Sequence, residues 1–462
     1  MSTLVAGCSL ILNPDPGGGP APMGDPRYGL RCAVDNECGP GESCRANRCT
    51  TACSGSSPCA GDGIAECGAS GFCEFLTPPP IEGTINVGYL YVGPVGDFGW
   101  TATHEEGRVY VQENLMDVAT HYAPSVSTAN APAEIEKFLT EGADGMPGTG
   151  DEDDVVIATS FDFLAPMQQA ALQNPDRNFL GCALFTNGPN LGSYFSRMEQ
   201  VMWLGGRLAA QVTESNRIGI IGPVTIPETV RHINAFTLGV RSKNPQAKVI
   251  VRWTGEWFNP EEETQATMEL VAAGVDVLYG QTDTRVPQEV LRDMNIRSID
   301  IEETMGEDES GRPILTFGHD NQNACDGDPS CVASLGYNWG PMLVQILQDM
   351  RDGRWRPDIS IWEQMRSDPA VSSVYLTQIN RAHVPSAVQL DVESFIPMLA
   401  GSEGTYLAFR GPVRDNTGRL RIPEGDEPDD DALLRMCWFV DGVFDYEDVD
   451  QPAVVPDCVG DR

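Results

Sequence analysis

The sequence is poor in positive charge. Its 462 residues include 67 acidic but only 30 basic residues, which gives a net charge of −37. Proteins that bind nucleic acid or anionic membranes through charge need basic patches, so this imbalance argues against both as partners. Hydrophobic residues make up 41% of the chain, which is enough to build the cores of two or three domains at this length.

The motifs of several enzyme classes are also missing. The sequence has no phosphate-binding Gly-x-x-x-x-Gly-Lys loop, no nucleophile elbow and no Cys or His spacing typical of a metal site. We therefore predict a protein that is not an enzyme and that carries no cofactor and no metal. One enzymatic alternative stays open, because Asp97 and Glu228 could act as an acid and a base on a glycosidic bond.

No run of about 20 apolar residues occurs, so no membrane-spanning helix is predicted. Attachment through a lipid is predicted instead, because Cys8 follows Val5-Ala6-Gly7 as in a lipobox. Only seven residues precede Cys8, too few for a signal peptide, which predicts a start further upstream. Residues 1–30 are interpreted as a signal remnant and a flexible tether rich in Pro and Gly. The expected location is the cell envelope, facing the periplasm or on the outer membrane.

Cysteine is concentrated in residues 31–76, which hold eight of the 14 cysteines. Zinc would require Cys-x-x-Cys pairs or nearby histidines, and neither accompanies them. We predict a module with four disulfides, whose pairing the sequence leaves open. The eight cysteines are Cys32, Cys38, Cys44, Cys49, Cys53, Cys59, Cys67 and Cys73. Further expected pairs are Cys325 with Cys331 and Cys437 with Cys458. Cys182 is left over and is expected to be a buried thiol.

Apolar runs that end in polar or acidic turns recur along the remaining sequence. They are Ile85 to Val92, Val155 to Thr159, Ile218 to Ile221, Val249 to Trp253 and Val275 to Tyr279. Stretches with helical periodicity follow them, for example Glu262 to Ala273 and Val286 to Met294. Alternating strands and helices predict α/β domains with parallel sheets.

Acidic and aromatic residues stand just after these runs. In open parallel sheets a ligand binds at the carboxyl ends of the strands. Asp97 and Trp100 follow the first run, and Asp283 follows the last. The pattern therefore predicts a pocket for a small molecule, with carboxylates as hydrogen-bond acceptors and aromatic rings as stacking faces.

The blocks of sequence around these positions resemble the basic membrane protein (BMP) family of ABC-transporter substrate-binding lipoproteins. The resemblance covers residues 84–445 and begins at Gly93 to Arg108. The further matching blocks are GADGMPG with VVIATSFDF, YFSRMEQVMWLGGRLAA at 194–210, IPETVRHINAFTLGVRSKNP at 226–245, WTGEWFNPEEE at 253–263, GVDVLYGQTD at 274–283, LGYNWGP at 335–341 and FRGPVRDNTGRL at 409–420.

The resemblance implies a type I periplasmic binding protein, an α/β fold of two Rossmann-like lobes with parallel sheets joined by a hinge. The substrate-binding domain would span residues 84–462. Lobe one is placed at about 84–197 plus 333–354, and lobe two at about 198–332 plus 355–462. An ABC permease and ATPase are the implied partners, and the protein is expected to be a monomer that closes on a purine nucleoside or nucleobase.

The resemblance also assigns binding roles. Trp100, on lobe one, would be the first stacking aromatic and Asp97 the acid that binds the base. Trp257 or Phe258 would supply the second aromatic face from lobe two. The other candidate contacts are Glu228, Asp283, Phe161 and Asn338. Glu228 and Asp283 could equally cap helices, since carboxylates are favourable at helix N-termini.

Two alternatives remain at this point. Asn338 stands where many nucleoside-binding relatives carry a lysine, which makes a nucleobase at least as plausible as a nucleoside. The chain could also be a surface sensor or adhesion lipoprotein that reuses the binding fold, or a receptor for another heterocycle such as riboflavin.

Overall fold

The computed structural model describes residues 41–45, 48–54, 59, 65–75, 78–300 and 312–455. These residues form two compact units. Unit one contains the described residues up to Pro94, Glu106–Phe195 and Gly340–Trp362, and unit two contains Val95–Glu105, Ser196–Trp339 and the described residues from Glu363 onward. Trp100, which is expected on lobe one from the sequence, groups with unit two. The lobe boundaries themselves stay a prediction.

Strands and helices alternate through the first part of the chain. Its elements are β1 (Ser43–Arg45), β2 (Arg48–Thr50), β3 (Ala65–Cys67), β4 (Cys73–Phe75), β5 (Ile85–Leu90), α1 (Trp100–Asn114), β6 (Val118–Ala123), α2 (Ala131–Glu141), β7 (Val155–Ala158), α3 (Leu164–Gln173), β8 (Asn178–Cys182) and β9 (Leu191–Ser196). Helix α1 begins in unit two and continues in unit one.

The same alternation continues in the second part of the chain. Its elements are α4 (Met198–Val212), β10 (Arg217–Gly222), α5 (Pro227–Arg241), β11 (Lys248–Trp253), α6 (Pro260–Ala272), β12 (Val277–Gly280), α7 (Val286–Asp300), β13 (Leu315–Asp320), β14 (Cys331–Tyr337), α8 (Trp339–Arg351), β15 (Ile361–Glu363), β16 (Val374–Leu376), α9 (Ser386–Glu393), α10 (Ile396–Leu399), β17 (Val413–Arg414), β18 (Leu420–Ile422), α11 (Asp430–Leu434) and β19 (Val443–Asp445). Among the described residues, no helix combines the length and the hydropathy that a membrane span requires.

Unit one is built on a six-stranded sheet with the order β15-β9-β8-β7-β5-β6. Strands β5 to β9 pair in parallel. All residues of β7, β8 and β9 are buried, as expected for a sheet that is covered on both faces. The core includes Phe138, Phe163 and Phe179. The predicted parallel α/β architecture is therefore confirmed here.

Unit two repeats this strand order in a seven-stranded sheet, β16-β14-β13-β12-β10-β11-β19. Its strands are parallel except for the edge pair of β14 and β16. Ile221, Ile250, Leu270 and Leu278 contribute to its core. The strand order reverses between β10 and β12, and such a switch point is where open α/β sheets hold ligands.

The cysteine-rich segment contains two small antiparallel hairpins, β1 with β2 and β3 with β4. The described disulfides join Cys53 to Cys67, Cys59 to Cys73 and Cys325 to Cys331. Cys44, Cys49 and Cys437 are also disulfide-bonded. Cys182 is buried in β8. Cys8, Cys32, Cys38 and Cys458 lie outside the described residues.

Helices α4 and α5 of unit two approach each other unusually closely, and glycines permit the approach. A Cβ atom on Gly206 of α4 would collide with the carbonyl oxygen of Phe236 on α5. A Cβ atom on Gly239 of α5 would collide with the carbonyl oxygen of Trp203 on α4. Backbone cannot give way as a flexible side chain can, so this contact fixes α5 against α4.

Substitution of Gly206 by alanine is expected to lower the free energy of unfolding by about 1–3 kcal/mol, because the added methyl group overpacks the helix contact. Urea denaturation of the full chain measures the change. Gly96→Ala is the matched control, since a Cβ atom at Gly96 meets open space. Equal stability of the two variants would contradict the close packing of the helices.

Candidate functional site

Three acidic side chains follow the carboxyl ends of neighbouring strands in unit two. Glu228 is the second residue of α5, which follows β10. Asp283 comes three residues after β12, and Asp320 is the last residue of β13. Because β12 is paired in parallel with both β10 and β13, these strand ends lie at one edge of the sheet. The edge contains the switch point, so it is the candidate binding site.

Burial shifts the acid–base equilibria of this cluster toward the protonated forms. It raises the pKa of Asp283 well above its usual range, and the nearby charges of Asp320 and Asp97 raise it further. The pKa of Asp320 is raised in the same way, first by burial and then by Asp97 and Glu228. Burial also raises the pKa of Glu228 to about 7, although Arg231 acts in the opposite direction. Like charges held close together disfavour one another's ionisation, so the cluster is shifted toward protonated carboxyl groups.

Asp97 closes the turn that precedes α1. Its Oδ1 accepts hydrogen bonds from the backbone N–H of Gly99 at 3.0 Å and of Ala102 at 2.9 Å, and its Oδ2 accepts from that of Thr101 at 3.0 Å. Burial raises the pKa of Asp97, and these three hydrogen bonds lower it. A carboxylate has roughly four acceptor positions. Asp97 therefore serves first as a cap for the helix, and its predicted contact with a ligand would use its remaining capacity.

The turn around Asp97 packs directly on the segment that carries Asp283. Phe98 adopts a left-handed conformation, with φ of 61°. A Cβ atom on Gly99 would lie 2.7 Å from the backbone of Asp283, so a side chain at this position would separate the two segments. The backbone N–H of Asp283 in turn donates to the carbonyl oxygen of Trp257 at 2.8 Å. The structure thus brings the predicted residues Asp97, Asp283 and Trp257 together.

Trp100 is held in a fixed orientation by other aromatic rings. It meets Tyr337 edge-on, with 5.4 Å between ring centroids, and Trp339 edge-on at 5.6 Å. Tyr337 and Trp339 stack on each other at 4.6 Å, and the indole N–H of Trp339 donates to Thr103 at 3.1 Å. Trp100 itself is partly exposed. A rigid and partly exposed indole is well suited to stack on a flat ligand. Asn338 follows Tyr337 and is also partly exposed.

The other predicted aromatic residues are placed differently. Trp257 is partly buried, whereas Phe258 is 54% exposed. Phe161 lies in unit one, in a short 3₁₀ turn after β7, and is 37% exposed. The geometry therefore favours Trp257 over Phe258 as a member of the cluster. The ligand contacts of all three remain predictions.

Asp320 and His319, at the end of β13, are members of the cluster that sequence reasoning missed. Asp320 is buried in a left-handed conformation, with φ of 59°, which is costly for a residue other than glycine. Nδ1 of His319 shares a hydrogen bond of 2.5 Å with the hydroxyl of Tyr279, and Nε2 lies 3.0 Å from Oδ1 of Asp320. Burial lowers the pKa of His319 to about 3, so the ring is neutral. The sequence signal that could have identified Asp320 is its position as an acid at the end of a mainly apolar stretch, Leu315–Asp320.

The comparison with protein families assigns the chain. The model of the Bmp family, described as ABC transporter substrate-binding protein PnrA-like, matches residues 84–324. The chain belongs to this family. The predicted membership of the BMP family of substrate-binding proteins is thereby confirmed.

Two curated relatives show different ligands in their names. A purine-binding protein of Brucella abortus is 28% identical over 366 residues, which cover 79% of this chain and 94% of the relative. A putative ABC transporter glucose-binding protein of Haloferax volcanii is 29% identical over 289 residues, which cover 62% of this chain and 66% of the relative. The second relative is therefore matched over about two thirds of its length.

Solved structures agree on the fold. A solute-binding protein of an ABC transporter from Conexibacter woesei aligns with a TM-score of 0.51 at 18% identity, over 74% of this chain and 100% of that chain. A transcriptional activator from Bacillus halodurans aligns with a TM-score of 0.54 at 19% identity, over 68% of this chain and 98% of that chain. The predicted periplasmic-binding-protein fold is confirmed.

Membership of the family fixes the general role of the substrate-binding protein. The family belongs to the solute-binding, non-enzymatic class, and its members act outside the cytoplasm. A small molecule is therefore the ligand, and an ABC permease with its ATPase is the partner that receives it.

The raised pKa of Glu228 predicts a pH dependence of stability. Its pKa rises from 4.5 to about 7 on folding, so the native state holds a proton that the unfolded chain releases. The resulting stabilisation is complete below pH 4.5 and is lost as the pH rises through 7. Relative to Glu228→Gln, the wild type should lose at most about 1.4 kcal/mol per pH unit in this window.

Urea denaturation of both proteins between pH 4 and 8 measures this difference. Glu113→Gln serves as the control for the loss of a glutamate side chain, because Glu113 is exposed on α1. Parallel profiles for the wild type and Glu228→Gln would show that Glu228 titrates normally in the folded protein.

Proposed function

We propose that the substrate-binding protein captures a purine, as a nucleobase or nucleoside, for uptake by its ABC importer. The observation that carries the proposal is a rigid indole, Trp100, three residues after Asp97 in the same unit as the carboxyl cluster of Asp97, Glu228, Asp283 and Asp320. The name of the Brucella relative supports the same ligand class.

The chemistry of a purine suits this set of groups. Its flat ring can stack on Trp100, and base–aromatic stacking contributes about 1–3 kcal/mol. Its edges alternate N–H donors with ring-nitrogen acceptors. A protonated carboxyl group donates through its O–H and accepts through its carbonyl oxygen, so it can pair with a neighbouring acceptor and donor on one edge of the base. An ionised carboxylate accepts from the remaining N–H groups.

A hexose is the second candidate ligand class. The name of the Haloferax relative supports it, and sugars also stack on indoles and donate to carboxylates. Hexose hydroxyls can donate to any carboxylate, however, and do not require protonated carboxyl groups. The raised pKa values of Asp283 and Asp320 therefore favour a ligand that presents acceptors as well as donors.

The proposal includes a lipid anchor at Cys8, which the lipobox-like Val5-Ala6-Gly7 supports. Expressed from its natural gene, the protein should incorporate labelled palmitate and sediment with membranes. Cys8→Ser should abolish both. Membrane association without lipid incorporation in the wild type would contradict the anchor.

Removal of the Trp100 indole should weaken purine binding by about fivefold to 150-fold, because a stacking contribution of about 1–3 kcal/mol is lost. Calorimetry of the full chain with adenine, guanine, adenosine and inosine measures this, after a thermal-shift screen that also includes glucose and riboflavin. Trp100→Phe keeps a stacking face and is expected to retain most of the affinity.

The screen separates the possible results. A ligand at about 100 times its dissociation constant should stabilise the fold by roughly 2.7 kcal/mol. Stabilisation by a purine that Trp100→Ala removes would establish the proposed function. Stabilisation by glucose or riboflavin, with no response to any purine from the folded wild type, would replace it with another ligand class.

A further inference from the structure

A second glutamate, Glu263 of α6, is hydrogen-bonded to the segment that carries Asp283. Glu263 is fully buried. Its Oε2 accepts hydrogen bonds from the hydroxyl of Thr282, at 2.6 Å, and from that of Thr284. The two threonines are the immediate neighbours of Asp283 on either side. One carboxylate therefore fixes the residues on both sides of Asp283.

The remaining oxygen of Glu263 is used as well. Its Oε1 accepts from the backbone N–H of Asn259 at 3.1 Å, at the start of α6. Three donors thus satisfy a carboxylate that has no access to water. Hydrogen bonds to a charged acceptor are stronger than those between neutral groups. A buried carboxylate with this arrangement is a rigid anchor for the strand exit.

The other contacts of Asp283 show that its position is constrained from several sides. Its N–H is bonded to the carbonyl oxygen of Trp257, and its backbone lies against Gly99. Neither contact fixes the chain on both sides of Asp283. Only Glu263, among the described residues, is bonded to both Thr282 and Thr284. Release of this anchor would let Asp283 move relative to the rest of the carboxyl cluster.

We propose that Glu263 is a positioning residue for ligand selection: without touching the ligand, it holds the carboxyl group of Asp283 where it can pair with the edge of the base. The inference rests on the proposed function, because it takes Asp283 as a ligand contact. It adds a residue that sits outside the binding surface and determines affinity through Thr282 and Thr284. A purely structural role, in which Glu263 only stabilises α6, is the competing explanation.

A double-mutant cycle distinguishes these roles. Adenine binding is measured by calorimetry for the wild type, Glu263→Gln, Asp283→Asn and the double variant. An amide can accept through one oxygen only, so Glu263→Gln should weaken adenine binding roughly tenfold or more. If Glu263 acts through Asp283, it should cause no further loss in the Asp283→Asn background. Equal losses in both backgrounds would overturn the proposal.

Matched variants control for effects of substitution that do not involve the contacts of Glu263 with the two threonines. Glu262→Gln alters the neighbouring glutamate of α6, which pairs with Arg252, and should leave adenine affinity unchanged. Thr282→Ser and Thr284→Ser keep the hydroxyl groups and should bind adenine like the wild type, whereas Thr282→Val and Thr284→Val should weaken it. The threonine variants also test the anchor if Glu263→Gln does not fold.

Amide hydrogen exchange of the ligand-free protein tests positioning without any ligand. Glu263→Gln should accelerate exchange in residues 282–284 by about tenfold or more while residues 266–272 of α6 change much less. Unchanged exchange at 282–284 would overturn the proposal. If the wild type binds no purine, the proposed function fails by that result alone, and exchange still decides whether Glu263 positions Asp283.

Discussion

Burial of carboxyl groups at the ends of parallel strands is the constraint on which the rest of unit two depends. A charge in a low-dielectric interior must be hydrogen-bonded, paired or neutralised by a proton. The structure uses the first solution for Asp97 and Glu263, each of which accepts three hydrogen bonds. Asp283 and Asp320 are shifted toward the third, because burial and neighbouring acids raise their pKa values. Two kinds of carboxyl group, with different capacities for hydrogen bonding, therefore meet in one place.

Much of the α/β architecture was predictable because buried parallel strands appear in the sequence as continuous apolar runs. The runs beginning at Ile85, Val155, Ile218, Val249 and Val275 correspond to β5, β7, β10, β11 and β12. The outer strands carry no such signal. Strand β19 pairs with β11 across nearly 200 residues of sequence, and its three residues form a strand only because that edge is available. Strands β15 and β16 are equally short, and tertiary context decides them.

The site was less predictable because its geometry depends on residues that are distant in sequence. The sequence identifies Asp97 as an acid that follows a strand. It does not show that three backbone N–H groups in the turn before α1 donate hydrogen bonds to this side chain. Glu263 is one of three consecutive glutamates in the first turn of α6, where acids are common at helix starts. Nothing in the sequence separates it from Glu261 and Glu262. Its contacts with Thr282 and Thr284 arise from the packing of α6 beside the end of β12.

The pKa values of the cluster also depend on which groups the nearby arginines contact. Arg231 follows Glu228 by one helical turn, yet its Nε lies 3.6 Å from Glu199 and its Nη1 donates to the carbonyl oxygen of Leu433. Arg197 is paired with Asp430 at 2.6 Å and lies 3.5 Å from Glu199.

Glu199 faces both of these arginines. The pKa of Glu228 reflects the balance, since Arg231 lowers it, Glu199 raises it and burial prevails. The arginine network can therefore tie α4, α5 and α11 together without converting the candidate site into one for anions. The purine proposed as the ligand is neutral and offers both donors and acceptors, so it is compatible with this balance.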